Sequence, residues 1–299
     1  MNKTAFVIGA WLACGAGWMP AQITVQLVLP QDQFLRNESL PIKVRVANSS
    51  GQTLHLGGEA DWLSFEMRDN DGRDVARLAP VPLADAFDLA ASQTANLSVD
   101  LMPCFELSKP GRYTVRTVLK AGQVAQVVAS IPRSFDIISG TKLWEREFGV
   151  PSAGVPEPRK YALQQANFLK QLRLYVRVTD PNENKVFRVV PLGMLISFSS
   201  PEAMLDKSSN LHVLFQTGAQ RFLYNIVGPD GELIIRQTHE YFNGSRPILK
   251  PDDDLGVKVV GGRRIVFLSD IPPPPDEPVL PPQTLPTNAP PKNTKKSKK

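Results

Sequence analysis

The chain has 299 residues, enough for two units with cores of their own at the usual ~100–200 residues each. Its net charge of +5 does not point to nucleic acid: the last eight residues, KNTKKSKK, carry five lysines and Lys3 a sixth charge, and without those six residues 22–291 stand at −1. A nucleic-acid-binding fold carries its basic stripe on the fold itself, so no nucleic acid is expected as a partner.

The N-terminus has one lysine, Lys3, then an apolar stretch from Ala5 to Met19, then Pro20 and Ala21. That is the layout of a secretory signal peptide, cleaved after Ala21. No later apolar run approaches the ~18–20 residues that a membrane helix needs, so a mature chain exported to the periplasm or the extracellular space is expected, without a transmembrane segment. Leu12-Ala13-Cys14-Gly15 resembles the bacterial lipoprotein box, although Trp11 stands three positions before the cysteine, where that box carries leucine; the resemblance implies acylation of Cys14 as the alternative. With the leader removed, Cys104 is the single cysteine and has no intramolecular disulfide partner. Its place at the end of a strand, in SVDLMPCFEL, reads as a buried small residue rather than a nucleophile.

From residue 23 to 138 short apolar–polar alternations are separated by turn residues: ITVQLVL, LPIKVRVANSS, QTLHLG, DWLSFEMRD, RDVARL, TANLSVDL, RYTVRTVLKAG and QVAQVVAS continuing into SFDII. Ile42, Val44 and Val46 alternate with Lys43, Arg45 and Ala47, the pattern of a half-buried strand. Asn70, Asp71 and Gly72 lie between two such patterns, where a hairpin needs residues tolerant of positive φ. A calcium loop is excluded there by spacing, since Gly72 follows Asp69 by three residues and an EF-hand glycine follows the first aspartate by five. Seven or eight strands at this spacing predict a β-sandwich. Pro110, Gly111 and Tyr113, leading into an alternating strand, resemble the start of the sixth strand of bacterial immunoglobulin-like domains. The match spans residues 23–138 and implies that fold, with the tyrosine hydroxyl anchoring the corner; it carries little about function.

A boundary is expected near residue 139. KLWEREF puts Trp144, Arg146 and Phe148 on one face of a strand, GVPSAGVPEP (149–158) reads as a semi-extended connector, and YALQQANFLKQL (161–172) is the chain's best helix candidate. LRLYVRVTD and KVFRVVPLG follow as strands around an Asp180-Pro181-Asn182 turn, and LISFS as a further one. In NLHVLFQTGAQRFLYNIV a two-residue type II′ turn at Gly218-Ala219 pairs Thr217 with Gln220 and His212 with Asn225; after the next turn, GPDG, Val227 faces Glu232 and Gln220 faces His239. This register puts Leu211, Val213, Phe215, Phe222, Tyr224, Ile226, Leu233 and Ile235 on an uncharged core face, with Tyr224 between Val213 and Ile235, and His212 on a mixed, partly solvated face. The two histidines then lie on opposite faces, ~16 Å apart at ~3.3 Å per residue, too far to share a metal, and His55 lies in the other half.

Asp206, Asn210, Leu211, His212, Val213, Asp230 and Gly231 resemble a repeat unit of sialidase-type β-propellers. A propeller needs several blades and the unit occurs once, so the resemblance implies a four-stranded antiparallel meander and not that family's activity. GVKVVGGRRIVFL reads as a closing hairpin through Gly261 and Gly262. Residues 272–299, rich in Pro and Lys, cannot bury a core and read as a disordered tail whose lysines could contact anionic surfaces.

The chain therefore reads as all-β: an immunoglobulin-like sandwich (22–138), a second antiparallel β-rich domain (139–271) and a tail. No G-x-S-x-G, H-E-x-x-H or metal-spaced cysteine set occurs, and the consecutive Asp252, Asp253 and Asp254 look like a solvated loop rather than an opposed acid–base pair. No catalytic, cofactor-binding or metal-ligating residue is singled out. The expected function is a noncatalytic exported binding or envelope-associated structural module, with a protein or envelope component as partner; a secreted hydrolase, and a protease inhibitor suggested by the immunoglobulin-like half, are the alternatives.

Overall fold

The computed structural model describes residues 22–59, 61–121, 126–150, 156–196, 199–254 and 256–272. The leader with Cys14, most of the tail, and residues 151–155 of the expected connector lie outside them. Among the described residues there is no α-helix; strands dominate, with one 3-10 turn at Met102–Cys104.

The first half contains β1 (Gln22–Val28), β2 (Gln33–Leu35), β3 (Pro41–Ser49), β4 (Leu54–Leu56), β5 (Leu63–Asp69), β6 (Phe87–Leu89), β7 (Thr94–Asp100), β8 (Gly111–Ala121), β9 (Gln126–Ala129) and β10 (Arg133–Ile138). One sheet runs β1-β3-β7 and a second β2-β10-β8-β5, with β9 paired to β8 and β4 with β6 as a separate ribbon. Both sheets turn their alternating apolar residues onto one core that includes Val25, Val44, Phe65, Val115 and Phe135. Strand β2 pairs parallel to β10. At the start of β8 the Tyr113 hydroxyl donates back to the Lys109 carbonyl at 2.7 Å. The Asn70–Gly72 turn forms, with Asp69 accepting from the backbone of Asp71 and Arg73 at 2.9 Å each. The strand expected at Arg73–Leu78 does not: beyond that turn the segment makes only isolated bridges, Arg68 to Asp74 and Arg77 to Phe105.

The second half contains β11 (Thr141–Val150), β12 (Glu157–Phe168), β13 (Gln171–Thr179), β14 (Val186–Leu195), β15 (Glu202–Leu205), β16 (Leu211–Gln216), β17 (Arg221–Val227), β18 (Leu233–Glu240), β19 (Ile248–Asp252), β20 (Gly256–Val260) and β21 (Arg263–Ile265). The sheets are β11-β12-β13-β14 and β15-β16-β17-β18-β21, which includes the expected four-stranded meander, and β19-β20 forms a ribbon. The inner faces of the two larger sheets share a core of Tyr161, Leu163, Val176, Leu192, Val213 and Phe215, among others.

Four sequence expectations fail here. Residues 161–172 are not a helix but most of β12 and the start of β13, joined by Leu169 and Lys170 at φ 46° and 68°. Tyr161 and Leu163 face the inner core while Ala166 packs outward against Leu35 of the first half; a strand buried on both faces loses its alternation and imitates helical spacing. The described ends of the connector read at 149–158 belong to paired strands, since Gly149 pairs with Pro158 and Val150 with Glu157.

Gly261 and Gly262 do not close a hairpin. They carry the chain from β20, paired to β19, across to β21, paired to β18. Both have positive φ, and a Cβ on either would lie 2.5 Å from a backbone oxygen, of Arg246 or of Glu240.

The fourth failure is the register. Thr217 closes on Arg221 through a three-residue turn, its N–H 2.9 Å from the Arg221 carbonyl, so His212 pairs with Ile226, Leu214 with Tyr224 and Gln216 with Phe222. Tyr224 in turn faces Gln237, and Phe222 faces His239. Both faces of this sheet are covered: Leu211, Val213 and Phe215 meet the inner core, while Leu214, Phe222 and Tyr224 pack under Leu249 and Val257 of the β19–β20 ribbon. The separation into a charged and an uncharged face, which set the expected register, is therefore not the separation the fold makes.

Candidate functional site

The one-residue slip puts His212, Tyr224 and His239 on the same face of the β15–β21 sheet. Asp206 stands in the tight turn after β15, where its carboxylate accepts from the backbone N–H groups of Ser208 and Asn210 at 2.8 Å each and from the Asn210 side chain at 2.9 Å. His212 Nε2 lies 3.2 Å from Asp206 Oδ2, and His212 Nδ1 lies 2.6 Å from the Tyr224 hydroxyl. A carboxylate only accepts, so Nε2–H donates to Asp206 and Nδ1 accepts from Tyr224. The Tyr224 ring meets His239 edge-on, with centroids 6.1 Å apart.

Burial governs the electrostatics of this chain. It pushes the His212 imidazole below its ordinary value against the smaller opposing pull of Asp206. It also pushes His239 down, helped by Arg264 and opposed by Asp270. The Tyr224 phenol is raised to about 12, by burial first and then by the Asp206 charge. Burial works against ionisation of Asp206 too, but its hydrogen bonds from Asn210, His212 and Ser208 outweigh that and hold it below the usual carboxylate range.

The arrangement can pass a proton between Tyr224 and Asp206 through the imidazole. It is closed, however: His212 is 3% exposed, its ring nitrogens both have partners, and the β20 backbone lies against Asp206, such that a Cβ on Gly256 would come within 3.0 Å of the Asp206 Cβ.

No family model and no characterised relative matches the chain. These comparisons assign it to no family. Among solved structures it is similar to the crystal structure of Spo0M, sporulation control protein, from Bacillus subtilis, at 9% identity over 65% of this chain and 78% of that one, with a TM-score of 0.27. A likeness that loose carries nothing about function.

An open concavity lies in the first half, at the β4–β6 ribbon. It is a cleft of about 790 Å³ whose walls include His55, Glu59, Trp62, Phe87, Asp88 and Lys120. His55 and Asp88 sit opposite each other on β4 and β6 and their side chains pair. The Trp62 and Phe87 rings meet edge-on with centroids 6.1 Å apart, which gives the cleft an aromatic wall beside groups of both charge signs.

The remaining residues weighed from sequence have structural roles. Cys104 is buried, its thiol pushed up by burial and by Asp100. Asp252 pairs with Lys258 across the β19–β20 ribbon at 2.5 Å, and Asp230 receives Arg159 at 2.6 Å. No group of three or more His, Cys, Asp or Glu side chains that could hold a metal occurs among the described residues, and no helix there is long and apolar enough to cross a membrane.

The sequence did hold a signal for the buried chain. Asp206 and Asn210, noticed for their resemblance to a propeller repeat, bracket a tight turn that delivers His212 onto the next strand. Tyr224 carries no comparable signal, because its meeting with His212 depends on the register.

Proposed function

We propose that this chain is a noncatalytic exported module, an immunoglobulin-like unit followed by a second antiparallel β unit, that binds an envelope component. The immunoglobulin-like reading of residues 22–138 draws on the strand order β1-β3-β7 facing β2-β10-β8-β5, the parallel pairing of β2 with β10, and the Tyr113–Lys109 corner contact. The propeller-like stretch at 206–231 is on this reading a local turn motif: Asp206 clasps its own loop and Asp230 anchors the turn before β18 to Arg159.

The observation that carries the noncatalytic reading is the enclosure of His212. A general base must come within hydrogen-bond reach of the proton it takes, and both nitrogens of this imidazole are occupied beneath a ribbon. The chain from Asp206 to Tyr224 acts on this reading as a polar clasp holding β16, β17 and the β15–β16 turn together. Binding is assigned to open surface, with the aromatic-walled cleft at His55 and Trp62 as the pocket for a small polar ligand.

The secreted hydrolase remains the second reading, favoured only by the connectivity of that same proton path. Purified chain assayed on generic ester, glycoside and peptide substrates should show no turnover. Turnover that disappears in His212→Gln would replace the binding reading with the hydrolase. Export is tested by the mass of the mature chain, expected to begin near Gln22; a retained Met1 would remove the localisation, and a lipid on Cys14 would replace it with a lipoprotein.

A further inference from the structure

Arg177, on β13, is 6% exposed, yet no carboxylate among the described residues forms an ion pair with it. Its guanidinium donates to the Arg36 carbonyl at 3.1 Å and to Asn37 Oδ1 at 3.0 Å, neutral acceptors that occupy two of the five N–H groups of an arginine. The carboxylate that acts on it from a distance, Glu183, is held by Lys142 and Lys160 at 2.8 Å each. Arg36, exposed directly after β2, adds a second positive charge and is itself without an ion pair among the described residues. Burial pushes the Arg177 guanidinium below its ordinary value, Arg36 adds to that, and Glu183 opposes both.

Both arginines line a pocket of about 120 Å³ where the two halves meet, together with Leu35, Ser139, Gly140 and Gln164. A Cβ on Gly140 would stand 3.1 Å from Leu35 Cδ1 and 3.3 Å from Gln164 Cβ, so the lack of a side chain there keeps the space open. Neither the Gln164 amide nor the Ser139 hydroxyl has a hydrogen-bond partner among the described residues. A buried guanidinium is costly unless its charge is matched, and a second cation beside it raises that cost. Water in the pocket would complete hydrogen bonds but leave both charges unmatched. An anion does both.

We propose that this pocket binds a phosphate-sized oxyanion, held between Arg36 and Arg177. Its volume is well under the ~300–1,000 Å³ of sites for drug-sized ligands, which limits the occupant to a free ion or to the terminal phosphate of a small ester. The donors come from separate elements: β13, β12, the residue after β2 and the link between β10 and β11. Such an arrangement suits acceptor oxygens on several sides of the ion better than a planar carboxylate, and guanidinium forks match phosphate oxygens in pairs. Because Arg36 belongs to the first half and Gln164 and Arg177 to the second, the bound ion also ties the halves together. The site is separate from the cleft at His55 and does not rest on the reading of the chain as an envelope-binding module.

Isothermal titration calorimetry of the full chain with inorganic phosphate, at constant ionic strength, should show saturable binding of about one ion per chain. The thermal midpoint should rise and level off with it, since a ligand of the folded state alone stabilises by mass action, whereas general salting-out keeps climbing. Arg36→Gln, a change to an exposed side chain, should weaken binding about tenfold or more, the effect of losing a charge-assisted hydrogen bond, and Gly140→Ala should weaken it by narrowing the pocket. Glycerol phosphate bound as tightly as inorganic phosphate would assign the site to the terminal group of an ester; weaker binding would assign it to the free ion. No saturable heat with phosphate, binding unchanged in Arg36→Gln, or acetate bound as tightly as phosphate would each overturn the proposal. Should Arg36→Gln lose its fold by circular dichroism, Gly140→Ala takes its place, and unchanged binding there overturns it equally.

Discussion

Asn225 is fully buried on the inner face of its sheet, between Val213 and Arg236, and neither atom of its side-chain amide has a hydrogen-bond partner among the described residues. A buried polar group without a partner costs about 1–3 kcal/mol, so Asn225→Leu, which keeps the branched shape, is expected to raise stability by up to about that amount in urea unfolding. The histidine opposite in character is His212. Replacing it by alanine leaves the Tyr224 hydroxyl and one side of Asp206 unsatisfied and opens a void, so a loss of about 2–4 kcal/mol is expected from the same mechanisms, not the small effect that a solvated face would give. Acid sensitivity follows from both buried imidazoles. Burial holds His212 and His239 below the ordinary value of 6.5, so the unfolded chain takes up protons before the folded one does. Their stabilising contribution is complete above that value and is lost as pH falls below it. Urea midpoints measured from about pH 7.5 to about pH 5.5 should decline, and the decline should flatten in His212→Gln/His239→Gln.

The β19–β20 ribbon is the element that changes the chemistry of the sheet beneath it. Leu249 and Val257 cover Leu214, Phe222 and Tyr224, and the ribbon reaches β21 only through Gly261 and Gly262. Their left-handed backbone, with the Glu240 carbonyl and the Pro247 ring each 2.5 Å from a Cβ built on Gly262, leaves no room for a side chain. Gly262→Ala is therefore expected to cost about 1–3 kcal/mol. Because it strains the crossing, early amide exchange in 248–260 should identify the ribbon as the part released; uniform loosening of the whole sheet would contradict this. The failed helix at 161–172 has the same physical origin as the failed register. Each lies where a second layer buries the face that sequence patterning assigns to solvent, so polarity along the chain no longer reports which side faces water.

The two halves meet through side chains as well as through the chain. Leu35 and Ile138 pack on Ala166, Tyr175 and Val189. Arg177, itself buried, donates to the Arg36 carbonyl at 3.1 Å and the Asn37 side chain at 3.0 Å, and Arg173 donates to Gln31 at 3.0 Å. An interface of this kind couples the halves, so one thermal transition is expected for the intact chain. Leu35→Ala/Arg177→Ala should lower the midpoint and split the transition in calorimetry; two transitions already present in the unaltered chain would show the halves to be independent. The sequence by itself determined that the chain is all-β, since period-two alternation and turn chemistry are local properties: Ile42, Val44 and Val46 specify a half-buried strand, and Asn70–Gly72 a turn, whatever surrounds them. It also disclosed the succession of strands and turns from 211 to 240, though not their register. What only the tertiary structure decided is which faces are inside. The ribbon over β16 and β17 and the first half against β12 and β13 both come from other parts of the chain and bury second faces; under the ribbon, the register brings His212 into contact with Tyr224 and Asp206.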